Sequence, residues 1–210
     1  MRPVLIASVL CLLFLQSESG SLAAQKAASR DTGETPTYTS DGKLNFPSNY
    51  REWIYLTSGV DMNYAPGAGR DHSMFDNVFV NPSAYRSFLE TGTWPDKTVL
   101  VLEVRMAGSK ASINQAGHFQ TGLMGREVHI KDEAHFPGKW AFFPFDEDAP
   151  AAQIPTTANC YSCHEQHGAV DTTFVQFYPT LLGLATKKGT LSAAYLKDEA
   201  DLAKGEAQKK

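Results

Sequence analysis

A Cys-x-x-Cys-His motif near the end of the chain constrains this sequence more than any other feature. Cys160, Cys163 and His164 lie in the stretch ANCYSCHEQHG, late in a chain of 210 residues. This spacing is the attachment signature of c-type haem. One helical turn separates the two thiols, so both can bond the vinyl groups on one edge of a porphyrin, and the adjacent imidazole can bind the iron. We therefore predict one covalently attached haem c with His164 as its iron ligand.

Paired cysteines have three other common uses: a structural disulfide, a thioredoxin-like redox pair and half of a zinc site. A redox pair is expected at the start of a helix in a βαβ unit, and the sequence around Cys160 offers no such pattern. A structural zinc site needs further thiol or imidazole ligands at short spacing, and only His167 is nearby. The motif therefore favours haem.

The first 24 residues have the pattern of a secretory signal, with Arg2 followed by the apolar run VLIASVLCLLFL and by small residues. We expect cleavage near Ala23 or Ala24, export to the periplasm and no membrane anchor, because the apolar run is too short to span a bilayer. A formal net charge of -4 gives no basic surface for nucleic acid.

The remaining chain predicts a mainly β (α+β) domain. Residues 25–42 are polar and predict a mobile leader, residues 43–185 the folded domain, and residues 186–210 a charged C-terminal tail or frayed helix. Within the domain, the segments EWIYLTSGV, MFDNVFV, TVLVLEVRM, GREVHIK and WAFFPF are rich in β-branched and aromatic residues. We expect an antiparallel sheet with a few helices, one of which starts at Asn81 and Pro82 and stops at Gly92. A second, bent by Pro179, would follow a cap at Asp171.

The sixth ligand of the iron decides between electron transfer and small-ligand binding. No methionine follows Cys163, which excludes the arrangement of small electron-transfer cytochromes c, and the strands argue against a four-helix cytochrome c′. His72 and Met74 remain alternative sixth ligands. His118, His129 and His135 are scattered without metal-ligand spacing, and we expect surface or core roles for them.

The order of motifs from LNFPSNYREWIYL through VFVNPSAY, TVLVLEV, GREVHIKD and GKWAFFPF to CYSCHEQHGAVDTTFVQFYPTLL resembles the cytochrome P-460 superfamily across residues 43 to 183. The resemblance implies a mostly antiparallel β fold, haem against one face of the sheet, and a homodimer. In the hydroxylamine-oxidising branch, a lysine on the strand matching TVLVLEV bonds the haem. This sequence has Leu102 there, which points to the other branch, cytochrome c′-beta, which binds nitric oxide.

Several residues are expected around the haem. Leu102 lies on an apolar strand face, Glu127 matches a pocket carboxylate of the hydroxylamine-oxidising branch, and Phe75 with Phe79 is predicted to cap the distal side. Strand alternation puts Glu127 on one face with His129, where it is either a proton acceptor with a pKa raised by burial or an exposed strand residue.

Three functions follow as hypotheses. The favoured one is capture, carriage or sensing of nitric oxide, or another small nitrogen ligand, at an open and apolar iron site. The second is hydroxylamine oxidation with Glu127 as proton acceptor. The third is plain electron transfer by a six-coordinate haem to an unidentified redox partner protein.

Overall fold

The fold is a five-stranded antiparallel sheet in which each strand pairs with its neighbour in the chain. The structure, a computed structural model, describes residues 33–64, 72–138 and 140–208. The strands are β1 (Ile54–Val60), β2 (Met74–Val80), β3 (Thr98–Gly108), β4 (Phe119–Lys131) and β5 (Trp140–Phe145). All five predicted strand segments are confirmed, and so is the mainly β, antiparallel fold class. The signal sequence predicted for residues 1–24 lies outside the described residues.

In the described part of the chain, four α-helices accompany the sheet: α1 (Pro82–Thr91), α2 (Asn159–His167), α3 (Pro179–Lys188) and α4 (Ala193–Ala207). Within the described ranges, none of the helices has the length and apolar content needed to cross a membrane. The start and stop predicted for α1 are confirmed, because Asn81 precedes it and Gly92 ends it at φ 78°. The Asn81 side chain does not cap the helix. Its Oδ1 instead accepts from the Val99 backbone N–H at 2.8 Å, which ties α1 to β3.

The sheet separates two apolar clusters. One lies between the sheet and helices α1, α3 and α4, and includes Phe88, Trp94 and Leu181. The other lies under the N-terminal segment and includes Leu44, Val101 and Phe143. Because side chains alternate along a strand, each strand contributes to both faces.

The second face also buries a carboxylate. Glu103 is 1% exposed and accepts hydrogen bonds from the Tyr50 hydroxyl and from the guanidinium groups of Arg51 and Arg105. Asn77 Nδ2 donates to the same carboxylate at 3.3 Å. Burial works against ionisation, but these donors outweigh it and lower the pKa of Glu103.

At both ends of the domain, residues predicted to lie in a mobile leader or a frayed tail make contacts with the domain. Tyr38, inside the predicted leader, bridges to Leu44 and donates its hydroxyl to Asp132 Oδ2 at 3.0 Å, so packing begins before Leu44. The C-terminal stretch forms α4, a helix of 15 residues whose Tyr195 is buried. It therefore packs against the domain instead of fraying.

The start predicted for the helix after the haem motif is wrong. Residues Val175–Phe177 form a short 3-10 turn, and α3 begins at Pro179, where the missing N–H costs nothing. Pro179 thus starts a helix instead of bending one. Asp171 does not cap it either, because its carboxylate accepts from the Trp94 backbone N–H at 3.0 Å.

Candidate haem site

The Cys-x-x-Cys-His motif occupies α2, with both thiols free. Cys160 packs against the first apolar cluster. Tyr161, between the two cysteines, stacks on Phe142 of β5 at 4.4 Å between ring centroids. Its hydroxyl accepts from the Phe142 backbone N–H at 3.2 Å and donates to the Ile154 carbonyl at 3.0 Å. These contacts fix α2 against the edge of the sheet.

The His164 ring is oriented by a backbone carbonyl. Its Nδ1 lies 2.8 Å from the Thr172 carbonyl oxygen, which can only accept, so Nδ1 carries the proton and Nε2 is the free nitrogen. The ring packs at a tilt against Phe174, with 4.2 Å between the ring centroids. Burial, with a contribution from His129, lowers the pKa of His164 to about 4, so the imidazole is neutral at pH 7. A neutral imidazole with Nδ1 engaged is the form that binds iron.

The carbonyl that binds His164 belongs to a strained turn. Asp171 and Thr172 have φ values of 47° and 57°, and the turn is closed by Thr173 N–H donating to the Val170 carbonyl at 2.8 Å. Two consecutive positive φ values are typical of a type I′ turn, which glycine and asparagine favour. A β-branched residue at positive φ costs about 1 to 3 kcal/mol, so the surrounding structure must hold Thr172 in place.

A cavity of about 380 Å³ adjoins the His164 ring. The sheet contributes side chains from β1 to β4, and the chain after α2 contributes aromatic rings. The strand residues are Thr57, Gly59, Met74, Asp76, Val78, Leu100, Leu102, Val104, Glu127 and His129, and the other residues are Met62, Tyr64, Thr173, Phe174, Phe177 and Tyr178.

Leu102, which the resemblance aligns with the cross-linking lysine of the other branch, lines this cavity. Its cross-strand pairing partners are Val78 on β2 and Glu127 on β4, so all three side chains lie on one face of the sheet. Leu100 and Val104 flank it on the same strand face. Val78, Leu100, Leu102 and Val104 therefore form an aliphatic wall of the cavity.

Glu127 also lines the cavity, and its side chain is 45% exposed there. Its Oε2 lies 3.3 Å from His129 Nε2, and this hydrogen bond lowers the pKa of Glu127 against the opposing effect of burial. The expected rise in pKa is therefore wrong in direction. His129 was assigned no site role from the sequence, yet it lines the cavity, and its ring centroid lies 5.1 Å from that of His164.

The predicted distal cap is wrong, because Phe75 and Phe79 lie on the other face of the sheet. Phe79 packs in the second cluster, 5.4 Å from the Tyr50 ring centroid. Phe75 alternates with Met74 and Asp76, both of which line the cavity. Of the two alternative sixth ligands, Met74 lines the cavity, whereas His72 is exposed and does not.

Two groups at the site could not have been predicted from the sequence. The Thr172 carbonyl is a backbone atom, which no residue type announces. Asp76 reaches the cavity only because it pairs with Val104, and this register cannot be read from either strand alone.

The site fits a haem. Two free thiols one turn apart, a neutral imidazole with a free Nε2 and an adjoining cavity form the donor set of a haem-binding protein in a β-rich domain. The family model described as Cytochrome P460 matches residues 47–175. The chain therefore belongs to the cytochrome P460 family, and its cofactor is haem. A search of curated proteins found no match.

Proposed function

We propose that the protein is a mono-haem c-type cytochrome in which Cys160 and Cys163 form the thioether bonds and His164 is the axial ligand. The placement of the motif on α2 and the hydrogen bond from His164 Nδ1 to the Thr172 carbonyl support this assignment. The attachment test is denaturing electrophoresis with haem staining. A Cys160→Ala, Cys163→Ala double variant should lose the stain, whereas wild type should keep it. A wild-type protein whose haem is extracted by acidified acetone would contradict covalent attachment.

We further propose that the site binds nitric oxide or another small nitrogen ligand for capture, carriage or sensing. When bound, the haem iron would supply the coordination position for such a ligand. The single observation that carries the proposal is Leu102 at the centre of an aliphatic wall formed with Val78, Leu100 and Val104. This aliphatic wall offers no hydrogen bond to stabilise bound dioxygen, which polarises on binding, while Glu127 and His129 add polar groups elsewhere in the cavity. It therefore favours a ligand that needs little polar support.

The test is an optical spectrum of the reduced protein with and without nitric oxide. The expected result is five-coordinate, high-spin iron that changes on addition of the gas. A six-coordinate, low-spin spectrum without added ligand would contradict the proposal and favour electron transfer. Because Met74 lines the cavity, the Met74→Leu variant then identifies whether its thioether is the ligand.

A second function, hydroxylamine oxidation, is favoured by one observation. Glu127 faces the cavity and its pKa is lowered by His129, so the carboxylate is ionised at neutral pH and can accept a proton. Leu102 weighs against it, because the cross-linking amine of that branch is missing. Turnover of hydroxylamine with an artificial oxidant, lost in Glu127→Gln and kept in Glu90→Gln on the exposed surface of α1, would establish the enzyme.

Export, assembly and redox partnership are also proposals. The apolar N-terminal residues support export to the periplasm, which cell fractionation tests.

A homodimer is supported by β1, an edge strand on which Tyr55 and Val60 are about half exposed. Light scattering of the purified protein should give twice the mass of the mature chain, and a single mass would contradict the dimer. A partner protein would supply or remove electrons.

A further inference from the structure

The C-terminal helix α4 is joined to the turn that follows the haem motif. Ser192, directly before α4, donates its backbone N–H to the Ala169 carbonyl at 2.8 Å and its hydroxyl to the Gly168 carbonyl at 2.7 Å. The same hydroxyl accepts from the Tyr195 backbone N–H at 3.0 Å and so caps α4. The Ser192 side chain therefore caps α4 and binds the backbone that leads into the turn.

A second contact joins α4 to α2 itself. His167, the last residue of α2, lies with Nδ1 2.6 Å from Asp198 Oδ2. Tyr195, between Ser192 and Asp198, is buried in the first apolar cluster. Hydrogen bonds at Ser192 and Asp198 and the buried ring of Tyr195 therefore hold α4 in place.

Gly168 and Ala169, the two residues bound by Ser192, directly precede the Val170–Thr173 turn that orients His164. Gly168 N–H donates to the His164 carbonyl at 2.9 Å. A Cβ on Gly168 would lie 2.5 Å from the Thr172 carbonyl carbon, so the Gly168 and Thr172 backbones are in direct contact. Thr172 holds a positive φ that a β-branched residue adopts only when its surroundings impose it. Its carbonyl in turn accepts from His164 Nδ1.

We propose that α4 is a positioning element for the axial histidine: through Ser192 and Asp198 it holds residues 168–173 in the strained turn that keeps the Thr172 carbonyl on His164 Nδ1. The proposal rests on the proposed haem ligation by His164. The family match ends at residue 175, so α4 lies beyond the matched segment. A hydrogen bond at Nδ1 raises the basicity of a ligating histidine, and α4 would thereby influence the iron–histidine bond.

The experiment compares wild type with Ser192→Ala, Asp198→Asn and their combination in the purified, haem-loaded protein. The control is Asp201→Asn, which makes the same chemical change on the same helix, at a carboxylate that pairs with Lys197 and Lys204. Ser192→Thr keeps the hydroxyl and should restore wild-type behaviour. Two measurements are made: amide hydrogen exchange of peptides covering residues 164–173, and the iron–histidine stretching band in the resonance Raman spectrum of the reduced protein.

We expect faster exchange over residues 168–173 and a lower iron–histidine frequency in the double variant, with smaller changes in the single variants and none in Asp201→Asn. Unchanged exchange would overturn the role of α4 in holding the turn. Faster exchange with an unchanged stretching band would overturn the positioning of His164. A protein that carries no covalent haem would refute the proposed function instead, and the exchange measurement would still report on the turn.

Discussion

Replacing Asp132 with asparagine should destabilise the domain in a pH-dependent way. Asp132 is 1% exposed at the end of β4, and accepts hydrogen bonds from Lys97, His135 and Tyr38. Burial alone would raise the pKa of Asp132, but these donors outweigh it and lower the pKa from 3.8 to about 2. The difference corresponds to about 2 kcal/mol of folding free energy.

The sign follows from linkage. A carboxyl whose pKa is lower in the folded state contributes its stability above the unfolded pKa and loses it as the pH falls through the folded pKa. At pH 6, Asp132→Asn should therefore be less stable than wild type by about 2 kcal/mol, or roughly 4 to 8 °C in Tm for a domain of this size. Between pH 4 and pH 2 the difference should shrink, because the protonated Asp132 side chain resembles asparagine.

The assay is urea denaturation of the haem-loaded protein, followed by far-ultraviolet circular dichroism at several pH values. Asp146→Asn, a substitution on an exposed residue after β5, is the matched control and should leave stability unchanged at every pH. A difference between wild type and Asp132→Asn that stays constant from pH 6 to pH 2 would refute the reasoning. In that case the loss would come from packing and not from the ionised carboxylate.

Three further substitutions test other parts of the structure. Gly168→Ala should cost about 1 to 3 kcal/mol in urea denaturation, because its Cβ would lie 2.6 Å from the His164 carbonyl oxygen; an unchanged midpoint would contradict the tight contact. Glu103→Gln should cost about 3 kcal/mol at pH 7, since two guanidinium groups lose a buried anion. That gap should narrow below pH 4.5, because the folded state lowers the pKa of Glu103, and a gap that widens in acid would be incompatible with this sign. Tyr161→Phe should cost about 1 to 2 kcal/mol and speed hydrogen exchange at the Phe142 amide; protection equal to wild type would show that the hydroxyl does not hold α2.

The strands and α1 were predictable because their signals are local. Runs of β-branched and aromatic residues between turn residues gave β1 to β5, and the pair Asn81–Pro82 with Gly92 gave the bounds of α1. Alternation within β4 also placed Glu127 and His129 together on one face. Each of these inferences needs only residues close in the chain.

The contacts of the C-terminal third were less predictable, because they depend on backbone atoms and on distant partners. Asp171 has the residue type of a helix cap, yet the Trp94 backbone N–H and the Lys131 ammonium, both far away in sequence, bind its carboxylate. The charged composition of α4 suggested a tail. What orders α4 is the burial of Tyr195 and the fit of Ser192 against the turn at Gly168.

The face of β2 that meets the cavity illustrates the limit of pattern reasoning. Alternation sorts this strand into two sets, Asp76 with Val78 and Phe75 with Phe79, but it does not say which set lies beside Leu102. That choice depends on the register between β2 and β3, and α1 intervenes between them in the chain. A shift of one residue would exchange the two sets. Because Val78 pairs with Leu102, Phe79 lies on the Tyr50 side of the sheet, where it packs against the second apolar cluster. The aromatic residues of β2 therefore pack on the face away from the haem site, and this strand gives the cavity the side chains of Met74, Asp76 and Val78.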